Sequence, residues 1–145
     1  MLKFKSILHP TDFSDSARAA FDLACSLARD HGAELVVLHT RPVQTVATEG
    51  GVVVNVDQPL SPLLEELREA HPAPEGVEVV HKVLEGDDAG RILGEAESGQ
   101  VDLIVMGTHG RTGLSRVLLG SVAEEVSRSA TCPVLTVKSP IQHRG

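Results

Sequence analysis

Apolar and polar residues alternate along the chain in two different rhythms. Short apolar runs stand at Ile7-Leu8, at Leu35-Val36-Val37-Leu38, at Leu103-Ile104-Val105-Met106 and at Val134-Leu135. Continuous runs of this length, bounded by turn residues, read as strands buried on both faces. Between them, apolar positions recur three and four residues apart, the spacing of a helix with one buried stripe. Phe4 to His9 is a first strand, ended at Pro10-Thr11-Asp12 because proline cannot donate to a ladder. Ser14 is placed to cap a helix with Ala17, Ala20, Phe21, Ala24 and Ala28 on one face, stopped by Gly32. Glu34 to His39 is a second strand.

Arg41 to Gln58 breaks the rhythm. It holds Pro42, Gly50, Gly51 and a short Val52-Val53-Val54 run without a helical period, and reads as a long, mobile surface loop. A lid or partner-contact segment is an alternative reading of the same stretch. The rhythm then resumes. Leu60 to Ala70 is a second helix, capped by Ser61 with Pro62 in its first turn and Leu60, Leu63, Leu64 and Leu67 inward. Val77, Val79, His81 and Val83 suggest a third strand at a sheet edge. Asp87 caps a third helix, with Ala89, Ile92, Leu93 and Ala96 inward and Gly99 at its end. A fourth strand starts at Val101, a fourth helix ends near Ser129, and Thr131 to Lys138 is a last strand before a frayed tail, Ile141 to Gly145. The alternation predicts a single α/β domain over residues 1–145, an open parallel five-stranded sheet with helices on both faces. In such sheets ligands lie beyond the carboxyl ends of the strands where the winding reverses. If the first and fourth strands are neighbours, Asp12 and Gly107 face one crevice.

The stretch from Val101 to Val126 carries the candidate chemistry. Four glycines, Gly107, Gly110, Gly113 and Gly120, fall between the Leu103–Met106 run and Ser121-Val122-Ala123-Glu124, which has capping-box spacing. Strand, glycine-rich loop and helix start together form an anion cradle. Glycine admits close backbone approach, and the first amides of a helix have no partner of their own. A loop that merely turns is the plainer reading, but it does not need so many glycines. The loop is neither a Walker A sequence nor the dinucleotide fingerprint. Arg111 and Arg116 either add charge-assisted phosphate contacts or are solvated cations. The Ser121 hydroxyl either donates to phosphate or caps the helix.

Composition narrows the partners. The hydrophobic fraction is 41 % with no Trp or Tyr, so the core is aliphatic and stacking platforms for single-stranded nucleic acid are absent. A net charge of −7 opposes a phosphate polymer but not one small nucleotide held by local amides. Nucleic acid and membrane are therefore not expected partners. Cys25 and Cys132 are too few for a disulfide framework or zinc site and read as reduced, buried thiols. No signal peptide or membrane span is visible, so a cytoplasmic location is expected.

Met106-Gly107-Thr108-His109-Gly110, nine residues, then Gly120-Ser121 resembles the G-x2-G-x9-G-[ST] nucleotide motif of the universal stress protein family. Ile7 to Ser14, Leu38-His39-Thr40 and Cys132-Pro133-Val134-Leu135 resemble that family's first strand and turn, the end of its second strand, and its last strand. The resemblance implies a Rossmann-like sheet ordered 3-2-1-4-5 and a homodimer formed through the last strand, Val134 to Val137. It implies ATP as ligand, with Mg²⁺ or Mn²⁺ held through the phosphates. Carried over by position, Asp12, beside Pro10 and Thr11, lies at ribose and adenine, and the backbone around Thr40 touches the base. Thr40 stands where an aliphatic residue is commoner. Gly107, following Met106, and Gly110 approach ribose and phosphate; Gly120, Ser121 and Val122 offer amides and a hydroxyl to the phosphates. His109 and Arg111 lie inside the same cradle.

Seven histidines show no i,i+4 pair and no Cys/His cluster, so no protein-ligated metal is expected. His109 meets a phosphate when protonated or points to water. Asp12 serves the ligand or a local turn, and Asp87 and Asp88 read as capping residues. Candidate clamps for phosphate are present, but neither a convincing base nor a G-x-S-x-G elbow is. Three functions follow: an ATP-binding regulatory module acting on an unknown protein partner, a slow ATP hydrolase or phosphotransferase with at most weak activity, or a homodimeric interaction module whose cradle is unused.

Overall fold

The structure is a computed structural model that describes residues 2–108 and 120–138. In chain order its elements are β1 (Ser6–Pro10), α1 (Asp15–His31), β2 (Glu34–Arg41), β3 (Thr45–Ala47), β4 (Val53–Asn55), α2 (Ser61–Ala70), β5 (Glu78–Glu85), α3 (Asp88–Ser98), β6 (Leu103–Gly107), α4 (Ser121–Ser129) and β7 (Val134–Val137). Five strands form one parallel sheet in the order β5-β2-β1-β6-β7. Counted without β3 and β4, that is 3-2-1-4-5. As expected, β5 is an edge strand. The order reverses between β1 and β6, which pair through Ile7–Leu103 and Leu8–Ile104.

Alternation along the strands divides the core in two. Ile7, Leu35, Val37, Leu103 and Val105 face α1 and α2, where they meet Ala20, Phe21, Ala24, Ala28 and Leu67. Leu8, Val36, Leu38, Ile104 and Met106 face α3 and α4, against Ala89, Ile92, Ala96, Ala123 and Val126. Ile7, Leu8, Leu35, Leu38 and Ile104 are fully buried. Each contributes about 2 kcal/mol by leaving water, which makes β2-β1-β6 the rigid centre of the sheet. Asp102 sets that centre's register from below: its carboxylate accepts the amides of Lys5 (2.7 Å) and Ser6 (3.0 Å).

Helix boundaries agree with the sequence at four caps, among them Gly99 at the end of α3, and differ at two. The Ser14 hydroxyl accepts the Ala17 amide, Gly32 ends α1 at φ 64°, and Asp87 accepts the Gly90 amide at 2.8 Å. By contrast Ser61 and Ser121 are not caps. The Leu64 amide bonds to the Leu60 carbonyl (3.0 Å) and the Glu124 amide to the Gly120 carbonyl (2.9 Å), so both helices begin one residue early. Both serines sit in the first turn, and neither helix start has a side-chain cap. In α2 only Leu67 of the leucine stripe is fully buried, because the helix lies over the sheet's edge.

The stretch from Arg41 to Gln58, read from sequence as a structureless loop, contains an antiparallel hairpin of β3 and β4. Its tip is a three-residue connection: the Gly51 amide donates to the Thr48 carbonyl (2.9 Å) and Gly51 takes φ 79°. That is the turn a glycine-ended three-residue hairpin requires. Three-residue strands paired only with each other are too short for a period to show. Arg41 cinches the base, donating to the Gln58 carbonyl (2.9 Å) and the Glu85 carboxylate (2.8 Å). The expected tail, Ile141 to Gly145, lies outside the described residues.

Candidate functional site

Register carries the β1–β6 pairing upward, setting Pro10 level with Met106 and Thr11 level with Gly107. The adjacency on which the expected crevice depends is therefore present at the reversal point, where β1 leads to Asp12 and β6 ends at Gly107. The β1 side is a built turn. The Thr11 amide donates to the Leu38 carbonyl (2.8 Å), the Phe13 amide to the Thr11 hydroxyl (3.2 Å), and the Ser14 amide to Asp12 Oδ1 (3.0 Å). Asp12 thus serves the turn, holding the chain as it swings into α1. Phe13 has φ 65°, a left-handed conformation that a bulky residue adopts only when its surroundings enforce it.

On the other side Gly107 lies directly under the first turn of α1. A Cβ there would stand 2.8 Å from the Ala17 nitrogen and 2.8 Å from the Ser16 carbonyl carbon, and it would also strike the Ser16 hydroxyl. The glycine is therefore required by helix-on-strand packing, whatever else approaches it. Beyond it Thr108 is buried, its amide donating to the Val137 carbonyl (2.9 Å). The Gly120 amide donates to the Thr108 carbonyl at 2.6 Å. This clasp ties the end of β6 to the start of α4. Gly120 is extended (φ −64°, ψ 158°) and precedes α4 as its N-cap. The amides of Ser121, Val122 and Ala123 come before the first intrahelical bond, so they have no acceptor within α4. His109, Gly110 and Arg111, with Gly113 and Arg116, lie outside the described residues.

Thr40 sits at the carboxyl end of β2, half-buried, with its hydroxyl bonded to Asp88 at the start of α3. The residue that departs from the family pattern thus has a partner of its own. Asp88 is occupied by this contact, while Asp87 caps the helix as expected.

Sequence reasoning missed a cluster of rings beneath the crevice. His9 is fully buried. Its Nδ1–H donates to the Val105 carbonyl at 2.8 Å, while its Nε2 is buried without a hydrogen-bond partner. Burial lowers its pKa from 6.5 to about 4; the hydrogen bond to the Val105 carbonyl is the main opposing effect, His71 adds a smaller lowering, and Asp12 a still smaller rise. His71 is also buried and lowered by desolvation; its Nδ1–H donates to the Leu67 carbonyl (3.0 Å). His81 Nε2–H donates to the His71 carbonyl (2.7 Å), and His39 Nδ1–H to the Thr11 carbonyl (2.8 Å). Phe13 packs edge-on against His39 with ring centres 4.8 Å apart, and Phe21 packs likewise against His71 at 4.8 Å. Residues 9, 39, 71 and 81 share no local spacing; only the sheet brings them together. Odd numbering from each strand's first core residue was the available signal, since His9 follows Ile7 and His39 follows Val37 on one face. Among the described residues no three His, Cys, Asp or Glu side chains are grouped to hold a metal, and no helix is long and apolar enough to cross a membrane.

The family model described as "Universal stress protein family" matches residues 3–138. Universal stress protein MJ0531 of Methanocaldococcus jannaschii is 40 % identical, the match covering 94 % of this chain and 84 % of that protein. Universal stress protein YxiE of Bacillus subtilis is 33 % identical over 93 % of this chain and 99 % of its own length. The solved structure of M. jannaschii MJ0577 superposes with a TM-score of 0.74 at 27 % identity, covering 97 % of this chain and all of that one. A universal stress protein crystallised in complex with cAMP superposes at 0.71 with 23 % identity, over 96 % of this chain and 100 % of its own, and shares the fold.

Proposed function

The chain belongs to the universal stress protein family, and from that premise we propose that it binds ATP in the crevice between β1 and β6 as a regulatory module. The observation that carries the reading is the start of α4. Three amides without an intrahelical acceptor stand there behind a glycine N-cap, with no side chain of the helix competing for them. Such a terminus suits a polyphosphate through both its donors and its dipole. With Gly120 as the cap, the Ser121 hydroxyl is relieved of that duty and donates to phosphate. Gly107 and Gly110 bring backbone to the ribose and phosphates, and Pro10, Thr11 and Asp12 form the wall beside ribose and base. The backbone at Thr40 meets the adenine edge; Met106 and Val122 complete the floor, and His109 and Arg111 add charge. Mg²⁺ rides on the phosphates rather than in a cage of side chains. That a protein of the same fold holds cAMP supports a nucleotide as the class of ligand; the triphosphate is what the resemblance to the family's G-x2-G-x9-G-[ST] motif implies.

Regulation is favoured over hydrolysis because the groups at the rim already have work. Asp12 accepts the Ser14 amide and His39 Nδ1–H is held by the Thr11 carbonyl. Occupancy acts instead through linkage, favouring whichever state of the protein binds nucleotide better and so altering the surface offered to a protein partner. The chain works in the cytoplasm as a homodimer paired along β7, where Leu135 is exposed. Isothermal titration of purified protein with Mg·ATP is the test. Saturable heat that Gly110→Asp abolishes is expected; no heat at millimolar ATP overturns the reading.

A further inference from the structure

Five of the eight large apolar side chains exposed among the described residues stand on one feature: Val43, Val46, Val52, Val53 and Val54, on the arm that β3 and β4 form. Every residue of the two strands is exposed, and they pair only with each other. An isolated two-stranded sheet is marginal in water. Yet its base is anchored by Arg41, and the Val56 amide donates to the Gln44 carbonyl at 2.7 Å. The arm is held away from the domain with both of its edges open.

Its hydrogen bonding says which groups remain. Thr48 bonds to Val52, and Val56 to Gln44, so residues 44, 46, 48, 52, 54 and 56 turn their backbone groups inward across the hairpin. Alternation then turns those of Thr45 and Ala47 out along one edge and those of Val53 and Asn55 out along the other. On the second edge the side chains have a symmetric pattern: Val52, Val54 and Val56 lie on one face, evenly spaced about Val54. From Val43 to Val56 the only charge is Glu49, at the tip, in a chain of net charge −7. A second copy of this chain meets little repulsion there.

We propose that β4 pairs antiparallel with β4 of a second copy about a two-fold axis at Val54, joining two arms into a four-stranded sheet. The pairing brings Val53 opposite Asn55 of the partner subunit, with both exchanging backbone hydrogen bonds. It builds a valine ladder in which Val52 meets Val56 of the partner subunit and Val54 meets the partner's Val54. The two tips point in opposite directions, so Glu49 does not meet its copy. This contact uses no residue assigned to nucleotide binding and no residue of β7.

The test uses the full chain carrying Val54→Cys in a Cys132→Ser background, where Cys25 is buried. A non-hydrogen-bonded antiparallel pair sets its Cα atoms about 4.5 Å apart, within disulfide reach. Mild oxidation is expected to give a covalent dimer. Adding Val53→Pro removes the outward amide while sparing the hairpin's own ladder, and the loss counts twice across the axis; the dimer yield is expected to fall about tenfold. Asn55→Pro is expected to act in the same way, and circular dichroism checks that each variant folds. The proposal is overturned by the absence of a covalent dimer, or by a yield that neither proline lowers. It is equally overturned if Leu135→Arg alone abolishes the dimer, which would assign the contact to the β7 edge.

Discussion

Lowering the pH should unfasten this domain at His9. The imidazole is fully buried, it is neutral in the fold, and its pKa is lowered from 6.5 to about 4. A depressed histidine value means that the folded state resists the proton that the unfolded state accepts. The stability it contributes is whole above pH 6.5 and is lost as pH falls from there toward 4. Every tenfold drop in proton affinity on folding is worth about 1.4 kcal/mol, so His9 alone removes about 3 kcal/mol once both states are protonated. Most of that is gone by pH 4.5. Against a usual total of roughly 5–15 kcal/mol, that is a large fraction. With no Trp or Tyr in the chain, urea unfolding followed by far-ultraviolet circular dichroism is the suitable assay. His9→Phe keeps a ring in the space against Phe21 and cannot titrate. The variant is expected to be less stable at pH 7, having lost the donor to the Val105 carbonyl, but to fall less steeply with acid. Subtracting the two curves cancels the distant carboxylates, and should leave a loss of about 2–3 kcal/mol between pH 7 and pH 4.5. Parallel curves would refute the reasoning.

Three further perturbations separate packing from ligand binding. Gly107→Ala forces a methyl group into the backbone of α1 and should cost about 1–3 kcal/mol in thermal or urea unfolding of nucleotide-free protein. An unchanged midpoint would show that α1 yields easily. Asp102→Ala removes the carboxylate under Lys5 and Ser6 and should cost about 1–3 kcal/mol, read from the same transition at neutral pH. The serines at two helix starts should part company: Ser14→Ala should cost about 1 kcal/mol as a lost cap. Ser121→Ala should leave stability within about 0.5 kcal/mol while weakening ATP in titration calorimetry, because Ser121 lies inside the first turn of α4.

β2 and β6 were legible because their apolar runs are continuous, a pattern that burial on both faces explains. Ser14, Gly32 and Asp87 were legible as local chemistry: each acts on atoms within a few residues of itself. The caps of α2 and α4 were misplaced by one residue for the same reason. Ser121 with Glu124 matches a capping box on paper, but the Gly120 amide is drawn to the Thr108 carbonyl, and that contact across the loop starts the helix early. Gly107 was marked for what a ligand would need, whereas its tightest constraint comes from Ser16 and Ala17, about ninety residues away in sequence. The histidines were counted but not assembled, since their spacing holds no information until β1, β2 and β5 lie side by side. Asp102 gave no signal at all: its partners are two backbone amides at the other end of the chain.

The sheet also works as a partition between two chemistries. His9, His39, His71 and His81 all lie on the α1/α2 side, while the core on the α3/α4 side is built without a histidine. Acid acting through His9 and His71, whose pKa burial lowers, therefore attacks a single ply of the laminate. Hydrogen exchange near pH 4.5 should show α1 and α2 opening well before α3 and α4, a peeling order set by which face of the sheet the buried histidines occupy.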